Sequence, residues 1–243
     1  MVSLLRRARP RVACFAIALA ACSRNPGLAV NTGPLPRASD AEAEALLVDL
    51  GAADPSLRIE MRYAGAHNFT GAPIEGYGAN RAFLRHEAAY ALLRVERRLQ
   101  AQGLALKIWD AYRPLRATEA QVAWAEAQGR EDLLRDGYLA RTSRHNLGLA
   151  VDCTLVEQAS GKELEMGSAY DEFPRRAHRD YGTSAVRRNR ARLAEAMRSV
   201  GFVPYEKEWW HFSYLAARPR VFDWPIPPKQ APPSETRVHP DVD

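Results

Sequence analysis

The strongest constraint on how this chain folds is a set of polar residues that achieve little apart. Ser143-Arg144-His145-Asn146-Leu147-Gly148-Leu149-Ala150-Val151-Asp152 carries an imidazole and a carboxylate seven positions apart, with Gly148 between them to allow a turn. Far downstream, Glu208-Trp209-Trp210-His211 carries a second carboxylate and a second imidazole. Two histidines and one aspartate suit Zn²⁺ and leave a fourth position for water. A hydrolase built on such a set needs a base beside the water that is not itself a ligand, and Glu208 has that place. Read from these residues alone, the same pattern fits histidines satisfied within a core.

Convergence of these groups has geometric requirements. Positions three apart in a regular strand face opposite ways, so the chain must turn or bulge around Trp209, with the strand beginning near His211. Asp152 and Cys153 are neighbours in a β-rich run; if Asp152 faces the metal, Cys153 faces away and serves as a small buried hydrophobe.

The surrounding periods are mixed. Leu57 to Tyr63 alternates apolar and charged residues, which predicts a half-buried strand. Arg81 to Gln102 carries an approximately helical apolar repeat stopped by Gly103. Leu104 to Trp109 predicts a buried strand, and Pro114 to Gln128 a helix with proline near its start. Gly148 to Val156 predicts a central strand, Ser184 to Val200 a helix ended by Gly201, and Trp210 to Leu215 a closing strand. Strands and helices do not alternate regularly, so the expected class is α+β, a single domain with a central, mostly antiparallel sheet and helices packed around it.

The ends read differently. Residues 1–22 predict an export leader: Arg6, Arg7, Arg9 and Arg11 precede an apolar run from Val12 to Ala21 that is too short for a permanent bilayer span. Leu19-Ala20-Ala21-Cys22 resembles a bacterial lipoprotein cleavage box, so a lipid on Cys22 is the expected membrane attachment and a periplasmic or cell-surface lipoprotein the expected location. An ordinary secretory signal with a chance cysteine is the alternative. Residues 23–41 predict a flexible tether, 42–224 the folded domain, and 225–243 a Pro-rich disordered tail. The chain has 34 basic and 29 acidic side chains; the leader holds four of the basic ones and no acid, leaving 30 against 29. That balance gives no support for a nucleic-acid partner. Of the three cysteines, Cys14 lies in the leader and Cys22 would carry the lipid, so Cys153 has no partner for a structural disulfide.

Several segments together resemble the zinc D-Ala-D-Ala metallopeptidases, a family with a hedgehog-like fold. The order Ser-x-His, six residues, Asp, then Glu-x-Trp-His carries the general resemblance. Arg62-Tyr63-Ala64 with Asn68-Phe69-Thr70-Gly71, Trp109-Asp110-Ala111-Tyr112-Arg113-Pro114, Met166 to Phe173 and the doubled tryptophan carry a closer one to its dipeptidase branch, from about Leu57 to Trp224. The resemblance implies His145, Asp152 and His211 as ligands of one Zn²⁺ per chain and Glu208 as general base and acid. It implies Arg113 at the oxyanion, Asp171 and Tyr63 at the substrate's ammonium end, and Ser143 in contact with substrate. The implied reaction is hydrolysis of the free dipeptide D-Ala-D-Ala in cell-wall peptide turnover. Two readings compete with it. A D,D-carboxypeptidase trimming stem peptides needs an open groove and no acid facing the substrate's N-terminal side. A non-catalytic wall-binding zinc domain needs neither Glu208 nor Arg113.

Overall fold

A computed structural model describes residues 35–173, 175–216 and 220–228. The expected leader, Cys22 and most of the proline-rich tail lie outside the described residues. In chain order the elements are α1 (Asp40–Leu46), β1 (Leu47–Asp49), α2 (Leu50–Ala53), β2 (Arg58–Ile59), β3 (Phe83–Arg85), α3 (His86–Gln100), β4 (Leu104–Asp110), α4 (Leu115–Ala127), α5 (Asp132–Arg135), β5 (Ala150–Glu157), α6 (Ser184–Arg198), β6 (Phe202–Pro204) and β7 (His211–Tyr214). Short 3-10 turns sit at Arg62–Ala64, Arg144–Leu147 and Arg175–Ala177.

The central sheet has the order β2-β4-β5-β7-β6; β2 runs parallel to β4 and every other pair is antiparallel. This is the expected α+β class with a mostly antiparallel sheet. β5 is the middle strand, and its residues are buried without a break from Ala150 to Val156, because both faces of the sheet are covered. On one side α3 packs on β4 and α6 on β5 and β6, and the two helices touch. Glu96 pins α3 to the sheet by accepting the Leu106 N–H at 2.7 Å. Cys153 is buried, and burial pushes its thiol well above the ordinary range, consistent with the apolar role expected for it.

Three sequence expectations are corrected. The alternation over Leu57–Tyr63 yields only two paired residues in β2. At Met61 the chain leaves the sheet, its N–H donating to Asn80 Oδ1 at 2.7 Å, and the following 3-10 turn buries Tyr63. The helix expected from Arg81 begins at His86, because Phe83–Arg85 pairs with Leu47–Asp49 as a two-stranded sheet; apolar residues buried in either conformation do not report the period. Both domain edges extend further than expected. Residues 35–41 belong to the fold: Ala38 N–H donates to Val221 O at 2.9 Å, and Ser39 with Glu42 forms a capping box on α1. Residues 225–228 are likewise held, since Ile226 is buried among the prolines and exchanges backbone hydrogen bonds with Gly76 and Gly78.

Gly148 delivers the chain from the Arg144–Leu147 turn into β5. It has φ +62°, and a Cβ there would lie 2.7 Å from Leu47 Cδ2 and 3.2 Å from the Arg85 nitrogen. Gly103 has φ +71° with open space around it. Placing alanine in a left-handed conformation costs about 1–2 kcal/mol. Gly103→Ala should lose about that much stability, and Gly148→Ala clearly more, as read from denaturant midpoints of the metal-free protein.

Candidate metal and substrate site

The Arg144–Leu147 turn exists to aim one imidazole. Ser143 caps it, its Oγ accepting from His145 N–H at 3.3 Å, while Asn146 Oδ1 accepts from Ser143 N–H at 2.7 Å. Asn146 in turn donates to Arg113 O and Thr118 Oγ1, at 3.0 and 2.8 Å. His145 Nδ1 donates to Ala111 O at 2.6 Å, an assignment that follows from the carbonyl being able only to accept. The lone pair of Nε2 is therefore turned toward β5.

The second imidazole arrives by the turn anticipated around Trp209. His211 N–H donates to Glu208 O at 3.2 Å, Trp209 N–H to Ala177 O at 2.9 Å, and β7 begins at His211. Register then places Asp152 directly opposite His211. His211 Nε2 lies 3.1 Å from Ser213 Oγ, which leaves Nδ1 for the site. Asp152 Oδ1 stands 2.9 Å from His211 Nδ1 and 3.3 Å from His145 Nε2, and the two ring nitrogens are 3.2 Å apart.

That triangle fits a cation. Ligands held at about 2.0–2.1 Å in a tetrahedral zinc site stand roughly 3.3 Å from one another. Two acceptor nitrogens facing each other beside a carboxylate gain nothing from one another without a positive charge between them. Among the described residues, His145, Asp152 and His211 form the one His/Cys/Asp/Glu group that can hold a metal ion. The electrostatics agree. Burial opposes ionisation of Asp152, but the two imidazoles outweigh it and hold its pKa far below the usual carboxylate range. Burial lowers the pKa of His211 and keeps it neutral; burial also opposes the charged form of His145, but Asp152 and Asp110 raise its pKa above the ordinary value.

The remaining groups face this triangle. Glu208 Oε2 lies 3.9 Å from His211 Nδ1. Burial, then the charges of Asp152 and Asp171, push its pKa well above that of an ordinary glutamate, against Arg113. Arg113 is buried and fixed on three sides: Nε and Nη2 donate to Asp110 Oδ2 at 3.0 and 2.7 Å, and Nη1 to Gln121 Oε1 at 2.7 Å. Those bonds use three of its five N–H groups. Opposite, Tyr63 donates to Asp171 Oδ2 at 2.9 Å. Asp171 is the one non-glycine residue among those described with positive φ, at 58°. Burial, and then the nearby Asp152 charge, raise its pKa to about 8. All eight residues singled out in the sequence, Tyr63, Arg113, Ser143, His145, Asp152, Asp171, Glu208 and His211, line one cavity of about 230 Å³. Trp210 forms part of its wall, and Trp209 lines a larger neighbouring cavity.

A family model described as D-ala-D-ala dipeptidase matches residues 43–227. The chain belongs to that family. Relatives named D-alanyl-D-alanine dipeptidase include one from Enterococcus faecium, 34% identical over 188 residues, which span 70% of this chain and 93% of the relative. One from Streptomyces coelicolor has the same identity and the same shares. One from Escherichia coli (strain K12) is 36% identical over 182 residues, 74% of this chain and 88% of the relative.

Three supports of this dipeptidase-family site had no assigned role in the sequence. Asp110 is wholly buried and accepts from Tyr77 Oη at 2.6 Å and Ala111 N–H at 2.9 Å as well as from Arg113; the Asp-x-x-Arg spacing was its only signal. Arg190 of α6 donates to the carbonyls of Met166, Arg176, His178 and Tyr181, clamping the segment that carries Asp171. Tyr170 stands beside Asp152 and Tyr63.

The raised pKa of Asp171 has a consequence for stability. An unfolded aspartate ionises at about 3.9. Between that value and about 8 the metal-free folded state keeps a proton that the unfolded state has released, so stability falls as pH rises through the window. Asp171→Asn removes this cost. Thermal melts of the metal-free protein should show the variant gaining on the parent from pH about 4 to about 8 and no further above; a difference independent of pH would contradict it.

Proposed function

We propose that the chain is a zinc-dependent dipeptidase that hydrolyses D-Ala-D-Ala to two D-alanines. The observation that carries this reading is one small cavity holding a cation-shaped His145–Asp152–His211 triangle, a non-ligating Glu208, a fixed Arg113 and a buried acid, Asp171. One Zn²⁺ per chain would be held by His145 Nε2, Asp152 Oδ1 and His211 Nδ1. When bound, zinc supplies a Lewis acid and eases ionisation of water at neutral pH.

The chain's own groups do the rest. Glu208 takes a proton from the attacking water as its oxygen bonds to the scissile carbonyl carbon, and passes that proton to the leaving amine as the C–N bond breaks. A carboxyl group whose pKa is raised by burial is suited to hold a proton between those two events. Arg113 turns its unspent N–H groups toward the developing oxyanion. Asp110 and Gln121 keep it from reorienting, so the stabilisation needs no rearrangement during the reaction. Asp171, oriented by Tyr63, binds the ammonium end of the substrate. Ser143 sits at the cavity wall, where it can contact the substrate.

The competing carboxypeptidase reading fares less well on the same geometry. A stem peptide extended past its terminal D-Ala-D-Ala would place an uncharged amide against Asp171, leaving that buried carboxyl without a counter-charge. A cavity of about 230 Å³ is large enough for a dipeptide. Export and lipidation at Cys22 belong to this proposal and are supported by the Leu19-Ala20-Ala21-Cys22 box. Among the described residues no helix is long and apolar enough to cross a membrane. An enzyme placed outside the cytoplasm would meet dipeptides released from wall turnover.

D-alanine release tests the assignment. The zinc-loaded chain should cleave D-Ala-D-Ala and leave N-acetyl-D-Ala-D-Ala largely intact, and Glu208→Ala should lose on the order of 10²–10⁴ in kcat. Equal cleavage of the acetylated substrate would assign the chain to the carboxypeptidases and remove Asp171 from the binding site.

A further inference from the structure

Asp152 divides its two oxygens between different tasks. Oδ1 faces both imidazoles, while Oδ2 lies 3.0 Å from the Tyr170 hydroxyl. We propose that Tyr170 is a positioning residue: its hydroxyl donates to Asp152 Oδ2 and holds the carboxylate so that Oδ1 alone is presented to the metal. The inference rests on His145, Asp152 and His211 holding the metal.

The direction of the hydrogen bond follows from counting protons. A phenol has one O–H, and the Tyr170 oxygen has two acceptors in reach, Asp152 Oδ2 and Tyr63 Oη at 3.2 Å. The bond to an ionised carboxylate is the stronger choice by about twofold. Tyr63 meanwhile donates its own proton to Asp171 Oδ2 at 2.9 Å. The two phenols therefore serve opposite ends of the site, Tyr170 the metal ligand and Tyr63 the ammonium acid.

The ring is held firmly enough to direct the carboxylate. Tyr170 packs tilted against Trp109, with centroids 4.9 Å apart and planes at 31°, and Trp210 meets it edge-on at 5.5 Å. Its segment is fastened to α6 through Arg190, whose Nε donates to Met166 O at 2.7 Å. Asp152 is fixed by the sheet at its backbone and by Tyr170 at its far oxygen. Without the hydroxyl, the carboxylate is free to rotate about its terminal bond, and the ordered Oδ1 position is lost to several alternatives. Partners of metal ligands in this position are worth about 10–100-fold in metal affinity.

The test compares Tyr170→Phe with Tyr63→Phe in the full chain. Zinc affinity is measured by competition with a chromophoric chelator, and turnover of D-Ala-D-Ala separately at saturating zinc. Tyr170→Phe should bind zinc about 10–100-fold more weakly and lose kcat with KM little changed. Tyr63→Phe should keep its zinc affinity and raise KM. Tyr170→Phe keeps the ring and its contacts with Trp109 and Trp210, so a loss of zinc affinity in that variant is not one that a packing role would give. Unchanged melting of the metal-free variants would show that the fold is intact. Zinc affinity in Tyr170→Phe within about twofold of the parent overturns the proposal. A parent that binds zinc and leaves D-Ala-D-Ala intact would defeat the dipeptidase reading while the zinc comparison still decides the role of Tyr170.

Discussion

The site depends on the approach of two imidazole nitrogens to one ionised oxygen, Asp152 Oδ1, within 2.9 and 3.3 Å. Much of the fold serves that approach. The β5–β7 register sets Asp152 opposite His211. An irregularity in the β4–β5 ladder between Ile108 and Asp110 brings Asp110 level with Asp152. The Ser143-capped turn then points His145 at the same spot from outside the sheet. The backbone pairing and the cap stabilise the chain, but the side chains they bring together do not. Burying ionisable groups so close together costs free energy unless a charge of opposite sign joins them.

The same bookkeeping of charge extends across the cavity. Asp110, Asp152, Asp171 and Glu208 surround a single guanidinium, Arg113, which Asp110 already neutralises. Three carboxyl groups remain, and the protein answers by holding Asp171 and Glu208 at raised pKa values while keeping Asp152 ionised. With all three ionised, a cavity of this composition is short of three positive charges. A divalent cation beside Asp152 and an ammonium beside Asp171 supply them. Metal and substrate class are thus two expressions of one electrostatic deficit, and a substrate with a neutral N-terminus leaves the share at Asp171 unmet.

The candidate site was legible in the sequence because the chemistry proposed for it needs particular atoms, and His145, Asp152, Glu208 and His211 stood in segments of distinctive spacing. The turn at Trp209 and the burial of Cys153 as a small hydrophobe followed from the period of a strand. Long, strongly periodic elements such as α4, α6 and β5 were readable for the same reason. What escaped was structure made by contacts distant in sequence. Phe83–Arg85 became a strand because Leu47–Asp49 lies beside it, and Ile226 was drawn into the fold by Gly76 and Gly78. Tyr170, Asp110 and Arg190 were ordinary residues by type, and only three-dimensional neighbours give them work. Arg190 illustrates this well: a helical arginine reads as solvated until four carbonyls converge on it.

The most direct test of this account is X-ray absorption at the zinc edge on the metal-loaded protein, with metal content measured on the same sample. The account predicts one zinc per chain in a shell of nitrogen and oxygen ligands at about 2.0–2.2 Å, including two imidazoles. A sulfur scatterer at about 2.3 Å would place Cys153 on the metal and contradict the account, as would a chain that retains no zinc.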